Sequence, residues 1–403
     1  DKMTVQEVEE WFNQYKEELI SKILNKQYKP MPVKRVYIPK PNGKQRPLGI
    51  PTVVDRVIQQ AMLQVLNEIY EPVFSEHSYG FRPNRSAHMA MEEVLSYLNE
   101  GYEWIVDLDI EKFFDTVNHD KLISILRERV NDSKTLHLIR AYLQAGILDK
   151  GLVSSSAIGT PQGGPISVIL SNIYLDKFDK ELESRNLRFA RYADDCIIFV
   201  KSEMSANRVM KSVTSWLERK LFLKVSAKKT KVVRPTKGKF LGFTFYKAKT
   251  VWKCTPTKDR KKRLYSNIQK YLERKHAASR PLSVTFEKLN QMIRGWIQYF
   301  KISSIKVFLE EFGQWLRHKV RCIIIKQWKR PRTIYKNLMK LNIACRYKFT
   351  HDEIFKCANS RLGWYRRSTG NIVNFLLSPT VLGIKKGDRP GLVNPLIYYL
   401  EIL

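Results

Sequence analysis

What this sequence lacks narrows the field first. Its five cysteines (Cys196, Cys254, Cys322, Cys345, Cys357) stand far apart with no CxxC pair. That spacing argues against a disulfide scaffold or a zinc knuckle and fits a reducing compartment. No apolar run reaches the roughly 18 residues a spanning helix needs, and the first residues carry no signal-peptide pattern. Membrane insertion and export are therefore disfavoured, and a first residue other than Met points to a longer parent product. Neither GxGxxG nor GxxxxGK[ST] occurs. Acidic residues are few beside the basic ones: 39 Asp and Glu face 71 Lys and Arg, a net charge of +32. Such a surplus repels itself and is most simply offset by a polyanionic partner, whether RNA, DNA or anionic lipid.

The surplus is unevenly placed. Lys253–Phe349 holds 25 Lys and Arg against 5 Asp and Glu, so a quarter of the chain carries well over half of the net charge. A solvated helix face normally mixes signs. With 403 residues, 43% apolar, and 8 Trp, 19 Tyr and 19 Phe, the chain can build two or three real cores.

Two stretches bring carboxylates into apolar surroundings. In Arg188–Lys201, β-branched and aromatic residues flank Asp194 and Asp195, which predicts two short strands with Tyr192-Ala193-Asp194-Asp195 at the turn. An exposed Asx-type turn explains this equally well. Trp104–Ile110 alternates as a strand, with Trp104, Val106, Leu108 and Ile110 on one face and Ile105, Asp107 and Asp109 on the other. Surface-turned aspartates on an edge strand are the plainer reading. If the strand lies beside the hairpin, Asp109 and Asp194 can share hard cations, because buried carboxylates are costly unless paired or metal-bound.

Around these stretches the periodicity predicts helices over Val5–Leu24, Asp55–Tyr70 (Val57, Ile58, Met62, Val65, Leu66 and Ile69 inward), Ala87–Leu98, Asp120–Arg129, Thr135–Ala145, Ile166–Glu183 and Ala206–Arg219. Strands are predicted over Val33–Ile38 and Phe240–Phe245. Pro39–Pro47 reads as a tight turn rimmed with cations, either solubilising charge or a cover for a triphosphate. Ser78–Ser86 is a Gly/Pro loop with two arginines, His119 caps or packs, and Gly159–Pro165 is a rigid loop where backbone can approach a ligand. Together these elements make an α+β domain with an antiparallel sheet. From about Lys258 the pattern turns helical over Arg260–Lys275, Phe286–Phe300 and Ile305–Trp328, with aromatic stripes that fit helix–helix core better than base stacking. Lysines and arginines between the stripes would track a phosphate backbone. Lys326, Lys329 and Arg330 represent that surface, although the helical phase around Pro331 is ambiguous. The tail after Asn359 reads as irregular.

Taken in order, Lys40-Pro41-Asn42-Gly43, Arg46–Pro51, Tyr79-Gly80-Phe81-Arg82-Pro83, Asp109–Asp115, Pro161-Gln162-Gly163, Tyr192-Ala193-Asp194-Asp195 and Phe240-Leu241-Gly242 resemble the reverse transcriptases of bacterial group II introns, also called maturases. Ala358-Asn359-Ser360-Arg361 and Trp364 resemble the compact group IIC kind. The resemblance implies a right-hand fold: an N-terminal extension over 1–32, fingers and palm over 33–251, a helical thumb or domain X over 252–357, and a basic nucleic-acid-binding tail over 358–403. It implies metal ligation by Asp109, the Ile110 carbonyl, Asp194 and Asp195, with Asp107 a lesser candidate. Lys40 and Arg46 would hold the incoming triphosphate, Gln162 would touch the nascent pair, and Phe114 would gate the sugar. Arg82, Arg85, Leu241 and Gly242 would meet primer and template, with Leu241-Gly242 as the primer grip.

The implied activity is RNA-directed DNA synthesis with two Mg²⁺ ions, Mn²⁺ being able to substitute. It would use an RNA template, a DNA primer and deoxynucleoside triphosphates. A group II intron RNA that the protein helps to splice and a target DNA complete the set of partners. The resemblance places this in the bacterial cytoplasm, at the nucleoid during integration, with no membrane partner and the oligomeric state open. A splicing cofactor with a vestigial polymerase site and a retron or diversity-generating enzyme are the rival readings. The cysteine-rich HNH segment of endonuclease-bearing relatives does not occur here.

Overall fold

The first apolar stripe forms α1 (Val8–Leu24), whose Trp11, Phe12, Leu19 and Ile23 join a cluster with Ile58, Met62, Leu138 and Tyr142. The computed structural model describes residues 3–39, 43, 45–154, 158–160 and 163–403, with the side chain of Arg274 left aside. The chain divides into two units, Asp1–Leu241 with Lys247–Trp252, and Gly242–Tyr246 with Lys253–Leu403.

In the first unit, β1 (Val33–Pro39) and β2 (Gln45–Ile50) form an antiparallel hairpin with Pro39 opposite Gln45. Helix α2 (Val53–Tyr70) starts at Thr52, whose side chain accepts a bond from the Asp55 N–H. Its buried face runs through Asp55, Ile58, Gln59, Leu66 and Tyr70, whereas Val57 and Val65 are exposed, contrary to the sequence pattern. A polar contact sets that rotation. Asp55 accepts bonds from the hydroxyls of Tyr28 (2.7 Å), Thr52 (2.7 Å) and Tyr142 (3.1 Å), which satisfies a buried carboxylate.

Then come α3 (Ala87–Asn99), β3 (Trp104–Asp109), α4 (Phe113–Thr116), α5 (His119–Arg127) and α6 (Ser133–Gln144). Ser86, Asn118 and Asp132 cap α3, α5 and α6 through their side chains. Two short strands that the periodicity did not reveal, β4 (Ile147–Asp149) and β5 (Leu152–Ser154), extend the first sheet to β2-β1-β4-β5. Because β1 and β4 run parallel, this sheet is mixed and not purely antiparallel. After α7 (Pro165–Ser184), β6 (Arg188–Tyr192), β7 (Asp195–Val200), α8 (Glu203–Lys220) and β8 (Lys231–Val233) complete a second sheet, β6-β7-β3-β8, antiparallel throughout. Val106, Leu108, Phe189 and Ile198 from this sheet lie in one core with Leu170, Ile173 and Phe178 of α7 and Val213 and Leu217 of α8. The buried cluster is large enough to fix β3 and β7 against each other.

The segment Phe240–Phe245 is not one strand. β9 (Lys239–Phe240) and β10 (Phe243–Ala248) are joined by a turn with Leu241 at φ +51° and Gly242 at φ +86°, and β11 (Val251–Pro256) completes a three-stranded sheet. Two successive positive φ values break the extended run that its residue types favour.

The second unit is helical after β11: α9 (Lys258–Tyr271), α10 (Arg274–Ala277), α11 (Leu282–Phe300), α12 (Lys306–Trp328), α13 (Pro331–Ala344) and α14 (His351–Asn359). The aromatic stripes are core, as their spacing predicts. Phe286, Leu289, Ile293, Phe312 and Leu316 are buried, and the Tyr265 ring lies 5.3 Å from Phe312 and 4.7 Å from Trp315. The expected irregular tail is a set of short helices, α15 (Trp364–Arg367), α16 (Asn371–Leu376), α17 (Pro379–Gly383) and α18 (Pro395–Glu401). It is tied to α11 by Asn290, which donates to the Gly391 carbonyl at 2.7 Å, and Tyr399 donates to the Ser303 carbonyl at 2.6 Å. Short, Gly- and Pro-punctuated helices leave little periodicity to read. Among the described residues, no helix is long and apolar enough to cross a membrane.

Candidate active site

Strand β3 lies beside β7, and their register sets Asp109 opposite Asp195 and Asp107 opposite Ile197. Tyr192 pairs with Asp195 across the hairpin, leaving Ala193 and Asp194 as its two-residue turn, with Ala193 at φ +57°. Directly opposed residues share a sheet face, so Asp107, Asp109 and Asp195 line one side and Asp194 sits at the adjacent tip. Beyond β3, Glu111 N–H donates to the Lys224 carbonyl and Ser226 N–H to the Asp109 carbonyl, bracketing a bridge between Ile110 and Val225. That pattern turns the Ile110 N–H and carbonyl away from Val225.

Two lysines from the third side offset this acidity. Lys229 Nζ lies 2.9 and 3.0 Å from the two oxygens of Asp109, and Lys231 Nζ is 3.5 Å from Asp107. Asp109 is also held through its backbone N–H, which donates to Thr230 Oγ1 at 3.2 Å. The Asp195 carboxyl is pushed up to about 6, first by loss of solvent around it and then by Asp194, Asp109 and Asp107, with Lys229 opposing. Asp195 keeps an open face to solvent, so water tempers this rise. Burial raises Asp107 as well, with Lys231 opposing. Among the described residues no three carboxylate, imidazole or thiol groups converge closely enough to chelate an ion. What the arrangement offers is a set of hard oxygen donors at one end of a sheet, with an ammonium across one of them.

A buried arginine holds the hairpin. Arg191 is 1% exposed and uses every donor of its guanidinium. It meets Asp179 at 2.7 and 2.5 Å, Asn172 Oδ1 at 3.1 Å, Ser78 Oγ at 2.8 Å and the Ala193 carbonyl at 2.8 Å. Its backbone is fixed too: Arg191 N–H donates to His77, and Tyr79 N–H donates to Arg191, both at 2.9 Å. Gly80 then lies so close that a Cβ there would be 2.3 Å from the Ala193 nitrogen. The tip carrying Asp194 is thus wedged between a salt-bridged guanidinium and a glycine backbone.

Phe114, on α4, packs its ring 5.2 Å from Phe113 at the edge of the core. Its carbonyl accepts from Thr160 N–H at 2.6 Å, and His119 Nε2 lies 2.6 Å from the Gly159 carbonyl, so the glycine loop is stitched to α4 and α5, the two helices that follow the Asp109 strand. His119 therefore packs, as expected. Gly163, at φ +123°, meets the Gly49 carbonyl of β2 at a distance that leaves no room for a Cβ. Lys40 and Gln162 lie outside the described residues. Arg46 is exposed on β2 opposite Ile38.

Arg82, expected at primer and template, has its side chain turned inward. It is 7% exposed and its guanidinium binds Glu71 at 2.8 Å and the carbonyls of Ser75 and Ser78, which makes it a staple of its own loop. Arg85 pairs with Glu76 and lies over the Tyr79 ring. Leu241 and Gly242 form the β9–β10 turn rather than a strand. In the second unit, Lys326 sits 4.6 Å over the Trp364 ring in the last turn of α12, while Lys329 and Arg330 are exposed in the break before Pro331. Sequence reasoning missed Arg191, Asp179, Gly80 and Lys229. A charged residue at an inward position of β6 was the available signal for Arg191. Lys229 was hidden in a lysine-rich run that reads as loop.

The model of the reverse transcriptase (RNA-dependent DNA polymerase) family matches residues 38–245, and that of the group II intron maturase-specific domain matches 261–342. Protein YkfC of Escherichia coli is 35% identical over 258 residues, covering 55% of this chain and 68% of that protein. The group II intron-encoded protein LtrA of Lactococcus lactis is 41% identical over 188 residues, covering 45% of this chain and 31% of its own length. Among solved structures, a Candida albicans telomerase is similar at a TM-score of 0.46 and 16% identity, over 93% of this chain and 65% of that one. That likeness is too loose to argue from. On the two family models and the likeness to LtrA, the chain belongs to the group II intron-encoded reverse transcriptases and maturases.

Proposed function

We propose that the chain is an RNA-directed DNA polymerase that also binds a group II intron RNA, helping it splice and insert into target DNA. One observation carries the reading: the register of β3 and β7, which brings Asp109, Asp194 and Asp195 to one end of the sheet. In the proposed reaction a primer 3′-oxygen bonds to the α-phosphorus of a deoxynucleoside triphosphate. The bond from that phosphorus to the bridging oxygen breaks, pyrophosphate leaves, and the hydroxyl proton passes to solvent.

The donor set fits Mg²⁺, being all oxygen, and the ammonium of Lys229 across both oxygens of Asp109 marks where positive charge is favoured. Mg²⁺, or Mn²⁺ in its place, supplies activation of the hydroxyl and charge stabilisation at the leaving oxygen, two ions serving both ends. Asp109, Asp194 and the Ile110 carbonyl are the proposed ligands, and Asp195 adds negative charge beside them. Lys229 is exposed and can swing aside, since such a surface pair contributes little. Arg46 and Lys40 offset the triphosphate charge, Gln162 touches the nascent pair, and the Leu241-Gly242 turn supports the primer. Lys326, Lys329 and Arg330 track the nucleic-acid backbone, with Arg85 at the template. The finer division into extension, fingers and palm, thumb and tail belongs to this proposal, as does a bacterial cytoplasmic setting. Phe114 would exclude a 2′-hydroxyl by its bulk; Phe114→Val should then admit ribonucleotides, and an unchanged ribo-to-deoxy incorporation ratio would remove it from that role.

The direct test is extension of a DNA primer on an RNA template by the wild-type chain with Mg²⁺ and deoxynucleotides. Complementary DNA is the expected product. Binding of the template without any extension would leave only an RNA-binding splicing cofactor.

A further inference from the structure

Helix α12 carries two inward-turned arginines one turn apart, Arg317 and Arg321. Arg321 is 8% exposed, and all of its described partners are neutral: the Leu377 carbonyl at 3.0 Å, Asn374 Oδ1 at 2.5 Å and the Asn374 carbonyl at 3.2 Å. No described ion pair includes either arginine. A buried guanidinium that lacks a carboxylate is costly, and a second one beside it raises the cost. Both are drawn below the usual arginine range by burial, Arg321 to about 10 with Arg317 adding to the effect, and no acidic group offsets either.

The two line an open cavity of about 510 Å³, together with Gln314, His318 and Thr369. Room for Arg317 is made by Gly313, where a Cβ would come within 2.9 Å of Arg317 Nη1. Trp315 and Pro379 supply apolar wall, but the polar groups that face the recess include two guanidiniums and no acid, which suits an oxyanion. We propose that this cavity takes a backbone phosphate of a nucleic-acid strand, Arg317 gripping it as a fork while Arg321, fixed by Asn374 and Leu377, supplies charge from behind. Arg317 and Arg321 lie within the stretch matched by the maturase-specific model, Thr369, Asn374 and Leu377 lie beyond it, and the assignment to nucleic acid rests on the proposed function. Inorganic phosphate shares the chemistry and serves as the simplest probe.

The test compares wild type with Arg317→Gln and Arg317→Lys, titrating single-stranded RNA and DNA of one mixed sequence across a salt series and recording Tm with and without inorganic phosphate. Arg317→Gln should lower the slope of log affinity on log salt by about 0.7 to 0.9 on the strand that occupies the site. That corresponds to a roughly five- to eightfold loss at 0.1 M salt. Its Tm without phosphate should be no lower than wild type, because a repelling charge has gone, and phosphate should raise its Tm less. Arg317→Lys should keep the slope. A loss on RNA alone, or on both strands alike, tells which backbone the cavity takes. An unchanged slope on both strands overturns the proposal, and so does a lost slope accompanied by a lower Tm, which would make Arg317 a fold contact. Wild-type primer extension reads the polymerase assignment separately, so the two can fail independently.

Discussion

The two units treat buried arginine in opposite ways. In the first, Arg191 and Arg82 are buried against carboxylates, Asp179 and Glu71. In the second, Arg321 is about as buried as Arg82 but against neutral oxygens, with Arg317 one turn away. Where charge must hold a geometry, it is balanced inside the protein. Where charge must grip something from outside, it is left over. The same contrast runs through the surface, since Lys253–Phe349 holds most of the surplus cations while the first unit brings Asp107, Asp109, Asp194 and Asp195 to one end of a sheet.

The largest expected effect comes from unbalancing the balanced side. Asp179→Ala would strand the Arg191 guanidinium in the core and should cost about 3–5 kcal/mol, read as a fall in the denaturation midpoint. A loss below about 1 kcal/mol would mean that the pair is dispensable and that the contrast between units is superficial. Next is Gly80→Ala. The added methyl must displace the backbone at Ala193, an overpacking expected to cost about 1–3 kcal/mol and to move Asp194. Its distinguishing sign is a raised Mg²⁺ requirement for primer extension with template affinity kept. An unaltered Mg²⁺ requirement would show that the wedge does not position the carboxylates. The smallest effect on the fold belongs to the unbalanced side. Replacing Lys326, Lys329 and Arg330 together with Gln should cost no more than about 1 kcal/mol, since Lys329 and Arg330 are exposed and Lys326 gives up its contact with the Trp364 ring. The salt slope of nucleic-acid binding should fall by about two to three units. An unchanged slope would place the strand elsewhere on the protein.

The elements that carry the site were the most legible. β3 alternates over six residues, and the hairpin strands are β-branched and aromatic runs broken by carboxylates, so the strands followed from residue type and the face of Asp109 from period. Side-chain networks were not legible. Periodicity turned Val57 and Val65 inward on α2, but the buried Asp55, bonded by the hydroxyls of Tyr28 and Tyr142 from distant segments and by that of Thr52 at the helix start, fixed a different face. Arg82 looked like a ligand group because loop arginines often are, and only the folded loop reveals Glu71 beside it. Leu241-Gly242 read as strand because aromatic neighbours outweighed one glycine. The short tail helices and the three-residue β4, β5 and β8 are too brief for any period to register.

The claim on which the rest depends is that Asp109 and Asp194 hold the catalytic metals. Single-turnover extension of a primer on saturating RNA template, measured for wild type, Asp109→Ala and Asp194→Ala beside template affinity, tests it most directly. Each variant should lose about three or more orders of magnitude in rate while binding template within about twofold of wild type. Either variant retaining more than about a tenth of the wild-type rate would contradict the account.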